Sequence, residues 1–242
     1  MGNWQCREIE GHTCDLFFPE QPGPYGYTII YLHDLSPQGR IGCQHLECVF
    51  EQHGLRVIAP DAKRSWWSDK ICEEFDKSRS AENYLLESLM PWLAADWEVV
   101  PPQIGLLGTG MGGQGCLRFG FKYPDLFPVV AAITPAIDHQ TCWWEAESFL
   151  DQMYLNEESV RQDTATLHIH PLYWPRNIWF CSHPHWLESA QRLQMKLSAL
   201  GIPHEVDLDA TDQTPAEYEQ RMSDQAVRFL VERLEKERRR NI

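Results

Sequence analysis

Residues 103–115 run Gln-Ile-Gly-Leu-Leu-Gly-Thr-Gly-Met-Gly-Gly-Gln-Gly: an apolar stretch, a cluster of glycines and the start of a helical pattern. A strand that turns sharply into a helix is the setting in which a G-x-S-x-G motif exposes a nucleophilic serine, with backbone N–H groups placed to stabilise an oxyanion. The outer glycines are Gly108 and Gly112, and the centre is Gly110 rather than serine. The spacing therefore suits acyl transfer, while the side chain that would carry it is missing. The nearest alternatives are weak. Thr109 precedes the apex, and Cys116 lies well inside the following helical stretch, where a thiol is buried and inert.

The histidines and cysteines form no recognisable metal pattern. His168 and His170 project to the same side of an extended segment and, with His183 and His185, could meet only if their loops converge. Cys43, His45, Cys48 and His53 lie on an expected helix at spacings unlike zinc sites, and the cysteines are read as core residues. No metal and no cofactor is expected.

The elements that must position the glycine turn alternate in type. Expected strands are Asp15–Phe18, Tyr27–Leu32, Leu55–Ala59, Gln103–Leu107, Val129–Thr134, Asn177–Cys181 and His204–Leu208; several are apolar throughout, as strands covered on both faces are. Helical patterns fall between them, at Ile41–His53, Ala81–Trp97, Met111–Tyr123, Trp186–Leu200 and Pro215–Glu237. Thr214, Pro215 and Glu217 spell a capping box with proline at the first helical position. This alternation predicts one α/β domain over 1–242, a central mostly parallel sheet with helices on both faces. Residues 135–176 fit the alternation less well and are expected to form an insertion over the top of the sheet.

The stretch from Leu107 to Pro135, with Met111-Gly112-Gly113, Tyr123-Pro124-Asp125-Leu126-Phe127 and Ala131-Ala132-Ile133-Thr134-Pro135, resembles the esterase D family of S-formylglutathione hydrolases, feruloyl esterases and acetylxylan esterases. Tyr31-Leu32-His33-Asp34 resembles that family's strand-end His-Gly region, and Pro60-Asp61 with Arg64-Ser65-Trp66-Trp67 its next strand-end loop. The resemblance implies an α/β-hydrolase fold and a triad in the order Ser, Asp, His. The serine position falls on Gly110. The acid position falls in Ser182-His183-Pro184-His185-Trp186, with His185 and no carboxylate, and the histidine position falls on Thr214. A pocket could still be formed by the N–H of Met111 and one from Asp34 or Leu35, with His33 beside them and Trp66 and Trp67 as walls. The expectation is an esterase-like protein without catalysis, binding a small acyl or carboxylate ligand or acting as a structural or regulatory subunit, paired with itself or with an active paralogue. The alternative is a working carboxylic-ester hydrolase with a relocated nucleophile or an activated water.

Composition narrows the remaining classes. With 21 basic and 35 acidic residues the net charge is −14, which disfavours nucleic acid and anionic membrane surfaces as partners. Eight cysteines without framework spacing, and no leader-like or membrane-length apolar run, point to a cytoplasmic protein with reduced thiols.

Overall fold

The structure, a computed structural model, describes residues 2–35, 44–209 and 214–240. Its frame is an eight-stranded sheet in the order β1-β2-β4-β3-β5-β6-β7-β8. The strands are β1 (Asn3–Ile9), β2 (His12–Phe18), β3 (Thr28–Leu32), β4 (Arg56–Pro60), β5 (Ile104–Thr109), β6 (Val129–Ile133), β7 (Asn177–Cys181) and β8 (Glu205–Asp207). From β4 to β8 every neighbouring pair is parallel; β2 joins β4, and β1 joins β2, antiparallel. β3, β6 and β7 are buried at every position, the pattern of strands covered by helices on both faces.

Alternate strand residues feed two cores. Ile29 and Tyr31 pack with the side chains of α1 (Gln44–Gln52) and α8 (Pro215–Arg240). Ile30 and Leu32 face the opposite side. There α2 (Ala81–Tyr84) continues through a π turn (Leu85–Leu89) into α3 (Met90–Asp96), beside α4 (Met111–Lys122). The expected single helix over 81–97 is thus continuous but carries one widened turn. The expected start of α1 at Ile41 lies outside the described residues. Along α8, Tyr218, Met222, Ala226, Leu230 and Leu234 are all buried at helical spacing, as the sequence pattern requires.

β1 was not anticipated. Six of its seven residues are exposed or half-buried, so it lacks the apolar alternation that marks a strand. It is fixed by its turn instead: Glu10 and Gly11 both take positive φ, 49° and 86°, as a two-residue hairpin loop demands.

Residues 135–176 form short helical turns, with α5 (Leu150–Met153) and α6 (Glu157–Arg161) among them. The segment packs on α4 through a buried ionic cluster. Arg118 of α4, 1% exposed, binds Glu82 of α2 and Asp163 of the insertion. Lys122 and Tyr123 also bind Glu82, and His168 and Tyr154 bind Asp163. Two acids and two bases balance, so no charge is buried unpaired. Beyond the segment come β7, α7 (Leu187–Ala199), β8 and finally α8, which packs on β5, β6 and β7. Among the described residues no helix is long and apolar enough to cross a membrane.

Candidate active site

Register places the ends of β3 and β5 side by side, with Leu32 opposite Gly108. Residues 33–35 therefore run beside the turn 109–111. At its apex Gly110 has φ 52° and ψ −114°, a conformation that suits glycine and strains other residues. Its N–H donates to the Ile133 carbonyl at 3.1 Å, and its own carbonyl accepts from Ala136 and Gln114 at 3.0 and 3.1 Å. Gly112 meets a different demand: a Cβ there would lie 2.7 Å from the His33 carbonyl and nearer still to that of Leu32. This close approach lets α4 start directly against β3.

The two N–H groups anticipated as donors converge, but they are already occupied. The Oδ1 of Asp34 accepts from Met111 N–H and from Leu35 N–H, each at 2.8 Å. Asp34 therefore contributes the acceptor rather than a donor, and Leu35 contributes the second N–H. A helix N-terminus attracts a carboxylate through its unsatisfied N–H groups and its dipole, and α4 receives no side-chain cap from Gly110. The carboxylate also reaches the apex: a Cβ on Gly110 would lie 2.5 Å from Asp34 Oδ2 and nearer still to Oδ1 and Cγ. The clue available in the sequence is that an aspartate stands in a region resembling His-Gly.

His33 is scaffold. Its ring Nε2 accepts from the Ala62 N–H at 3.0 Å, so the proton sits on Nδ1, which donates to the Asp34 carbonyl at 2.7 Å. Burial pushes its pKa down, against the Asp34 carbonyl and the nearby Asp61, which favour the charged form.

Trp66 and Trp67, expected as pocket walls, have no solvent exposure. Each indole N–H is satisfied by a carbonyl: Trp66 by Ser148 at 2.8 Å and Trp67 by His33 at 3.2 Å. Both hold positive φ, 53°, a strain that such complete burial can sustain. They brace the site from behind, Trp67 against His33 and Gly115, Trp66 against the insertion. The sequence marks them as chemically prominent but cannot tell a wall from a buttress.

The other candidates are dispersed. The Thr109 hydroxyl lies 3.2 Å from that of Tyr31. Cys116 is fully buried, and burial pushes its thiol well above the usual range. His183 packs against the Tyr218 ring, 5.7 Å between centroids, while His185 is exposed and edge-on to Trp186. Asp207, opposite Cys181 in the sheet register, is paired with Arg221 at 3.5 Å. Thr214 is exposed and exchanges hydrogen bonds with Glu217, the expected capping box. His168 binds Asp163, and His170 accepts from the Leu172 N–H. No group of three or more potential metal ligands occurs among the described residues. Cys43 lies outside those residues, and Cys48, expected in the core, is exposed on α1.

A mostly parallel sheet flanked by helices, with a strand turning through glycines into a helix at its carboxyl edge, defines the α/β-hydrolase class. FphF, a fluorophosphonate-binding serine hydrolase of Staphylococcus aureus, superposes with a TM-score of 0.75 over 95% of this chain and 98% of its own, at 15% identity. An S-formylglutathione hydrolase from Agrobacterium tumefaciens gives 0.72 over 96% and 94%, also at 15% identity. At the family level the Esterase model, described as "Putative esterase", matches residues 15–227, and the chain belongs to that family. Rattus norvegicus S-formylglutathione hydrolase is 27% identical over 126 residues, 45% of this chain and 44% of its own length. The chain thus spans less than half the length of that curated relative.

Proposed function

We propose that this chain is an esterase-family protein that does not carry out serine-dependent ester hydrolysis, and that it acts as a binding, structural or regulatory subunit. The observation that carries this reading is the apex itself: Gly110 sits at the turn between β5 and α4 with no side chain to attack a carbonyl. Serine hydrolases need nucleophile, base and orienting acid to act together, and a remnant has little value without its nucleophile.

The positions assigned by resemblance to the acid and the base support the same reading. The loop after β7 offers exposed His185 and half-buried His183 without a carboxylate, and Thr214 is engaged as a helix cap. The two described candidates nearest the apex do not favour a substitute nucleophile: the Thr109 hydroxyl is paired with that of Tyr31, and Cys116 is buried.

The test is direct. The protein is incubated with a fluorophosphonate probe and, separately, with p-nitrophenyl acetate. Neither labelling nor turnover above a heat-denatured control is expected. Stoichiometric labelling, or turnover that survives repurification, overturns the proposal. For the subunit role, native mass measurement of the purified chain, alone and with an active family member, should show a defined assembly; a monomer under both conditions would leave the ligand-binding form of the reading.

A further inference from the structure

We infer that residues 34 and 110 form one unit in which a side chain at 110 and the capping position of the Asp34 carboxylate exclude each other, and that Asp34 is a second determinant of inactivity, independent of the missing serine. The inference rests on the reading of Gly110 as the former nucleophile position, and it deepens that reading.

Two observations carry it. The Asp34 carboxylate takes both converging amides, Met111 N–H and Leu35 N–H. These are the groups that an ester carbonyl would need as its oxyanion forms. Secondly, the space that a side chain on residue 110 would enter holds the same carboxylate: a built Cβ falls 2.5 Å from Oδ2 and closer to Oδ1 and Cγ. The obstacle is a side-chain end, not backbone, and Asp34 is exposed. A serine at 110 is therefore admitted only by turning Asp34 away, which forfeits both hydrogen bonds. Conversely, glycine at 110 leaves α4 without a cap of its own, and Asp34 provides one from the neighbouring strand end.

The consequence concerns specificity as well as stability. With Asp34 in place, an acyl oxygen or a free carboxylate competes with a covalently tethered anion for the same two donors. Restoring a serine at 110 alone leaves this anion next to the reacting centre, where it opposes a developing negative charge. Both positions must change for the donors to be free.

The test uses amide NMR and thermal unfolding on the full chain. In the wild type, the Met111 and Leu35 amide resonances should shift together as Asp34 titrates, and Asp34→Asn should abolish that joint shift. In Asp34→Gly, acetate should perturb the same two resonances, while the wild type stays unresponsive. Gly110→Ser should lower the unfolding midpoint by at least about 3 °C more in the wild type than in the Asp34→Gly background, the effect of losing at least one ordinary hydrogen bond in a domain of this size. Amides insensitive to Asp34 ionisation, an acetate response in the wild type equal to that of Asp34→Gly, or equal Gly110→Ser costs in both backgrounds would each overturn the inference. If Gly110→Ser does not fold, the amide titrations of wild type, Asp34→Asn and Asp34→Gly still decide it. None of these outcomes depends on wild-type turnover, so failure here is distinguishable from failure of the non-catalytic reading.

Discussion

His139 makes the stability of this chain depend on pH in a defined window. It belongs to the segment after β6, is 1% exposed, and stacks on the Trp66 indole with 4.7 Å between centroids. Among the described residues neither ring nitrogen has a well-formed hydrogen bond, the Ile137 carbonyl being a polar group that favours its protonation. Burial pushes its pKa down to about 4; the Ile137 carbonyl, Asp163 and Asp138 favour the charged form, Arg118 opposes it, and burial prevails. In the unfolded chain histidine titrates near 6.5. As pH falls, the unfolded state therefore binds the proton first. The contribution of a neutral His139 is complete above about pH 6.5, is lost progressively down to about 4, and changes no further below that. At about 1.36 kcal/mol per pH unit, the loss by pH 5 is about 2 kcal/mol. His139→Phe keeps a ring against Trp66 and removes the titration. Urea unfolding of both proteins at about pH 7.5 and about pH 5 should show the wild type losing roughly 2 kcal/mol more than the variant. The comparison cancels the other histidines, which both proteins share. Parallel losses, within about 0.5 kcal/mol, would refute the argument that burial holds His139 neutral.

Further outcomes follow from the packing. Asp163→Asn leaves Arg118 and Lys122 facing Glu82 alone, so calorimetry should show a loss of about 3–5 kcal/mol, the cost of breaking a buried pair. Burial alone would raise the Asp163 pKa, but His168 and Arg118 outweigh it and hold it below the usual carboxylate range. That stabilisation is therefore present above about pH 4 and lost as pH falls below it. Gly112→Ala forces a methyl into the Leu32 and His33 carbonyls, which are backbone and cannot turn away; circular dichroism should show an unfolded chain or a loss above about 3 kcal/mol. Thr214→Ala should cost about 1 kcal/mol in urea unfolding, the usual worth of an N-cap. A thiol reagent should modify exposed Cys6 and Cys48 quickly, and buried Cys14, Cys72, Cys116, Cys142 and Cys181 only on unfolding.

The parallel strands and long helices were legible because burial on both faces writes itself as continuous apolar runs, and α8 as a periodic stripe with a capping box. β1 was not, because it is held by a hairpin turn and its neighbour rather than by an apolar face. The glycines at 108 and 112 announced the turn, since close backbone approach leaves no room there for a side chain. What the sequence could not show is where side chains point once the loops meet. Trp66 and Trp67 have the composition of a ligand wall and the burial of a core. Asp34 was read for its backbone, while its carboxylate does the work at the site. Both errors concern contacts between segments about thirty to eighty residues apart, which no local pattern encodes.

The placement of Asp34 also connects stability with function. A helix that starts against a sheet edge leaves its first N–H groups without partners, and a working hydrolase keeps such donors free for substrate. Free donors carry a stability cost that catalysis justifies. If residue 110 is the former nucleophile position, as proposed, that justification lapses with glycine there, and a side chain that satisfies the donors is favoured on stability alone. Asp34 does this with the least rearrangement, because the strand register already sets residue 34 beside residue 111. On the proposed reading, the two departures from the resembled pattern, glycine at 110 and aspartate at 34, share one physical origin. In the proposed reading, the turn that would position a nucleophile instead positions a helix start capped by Asp34.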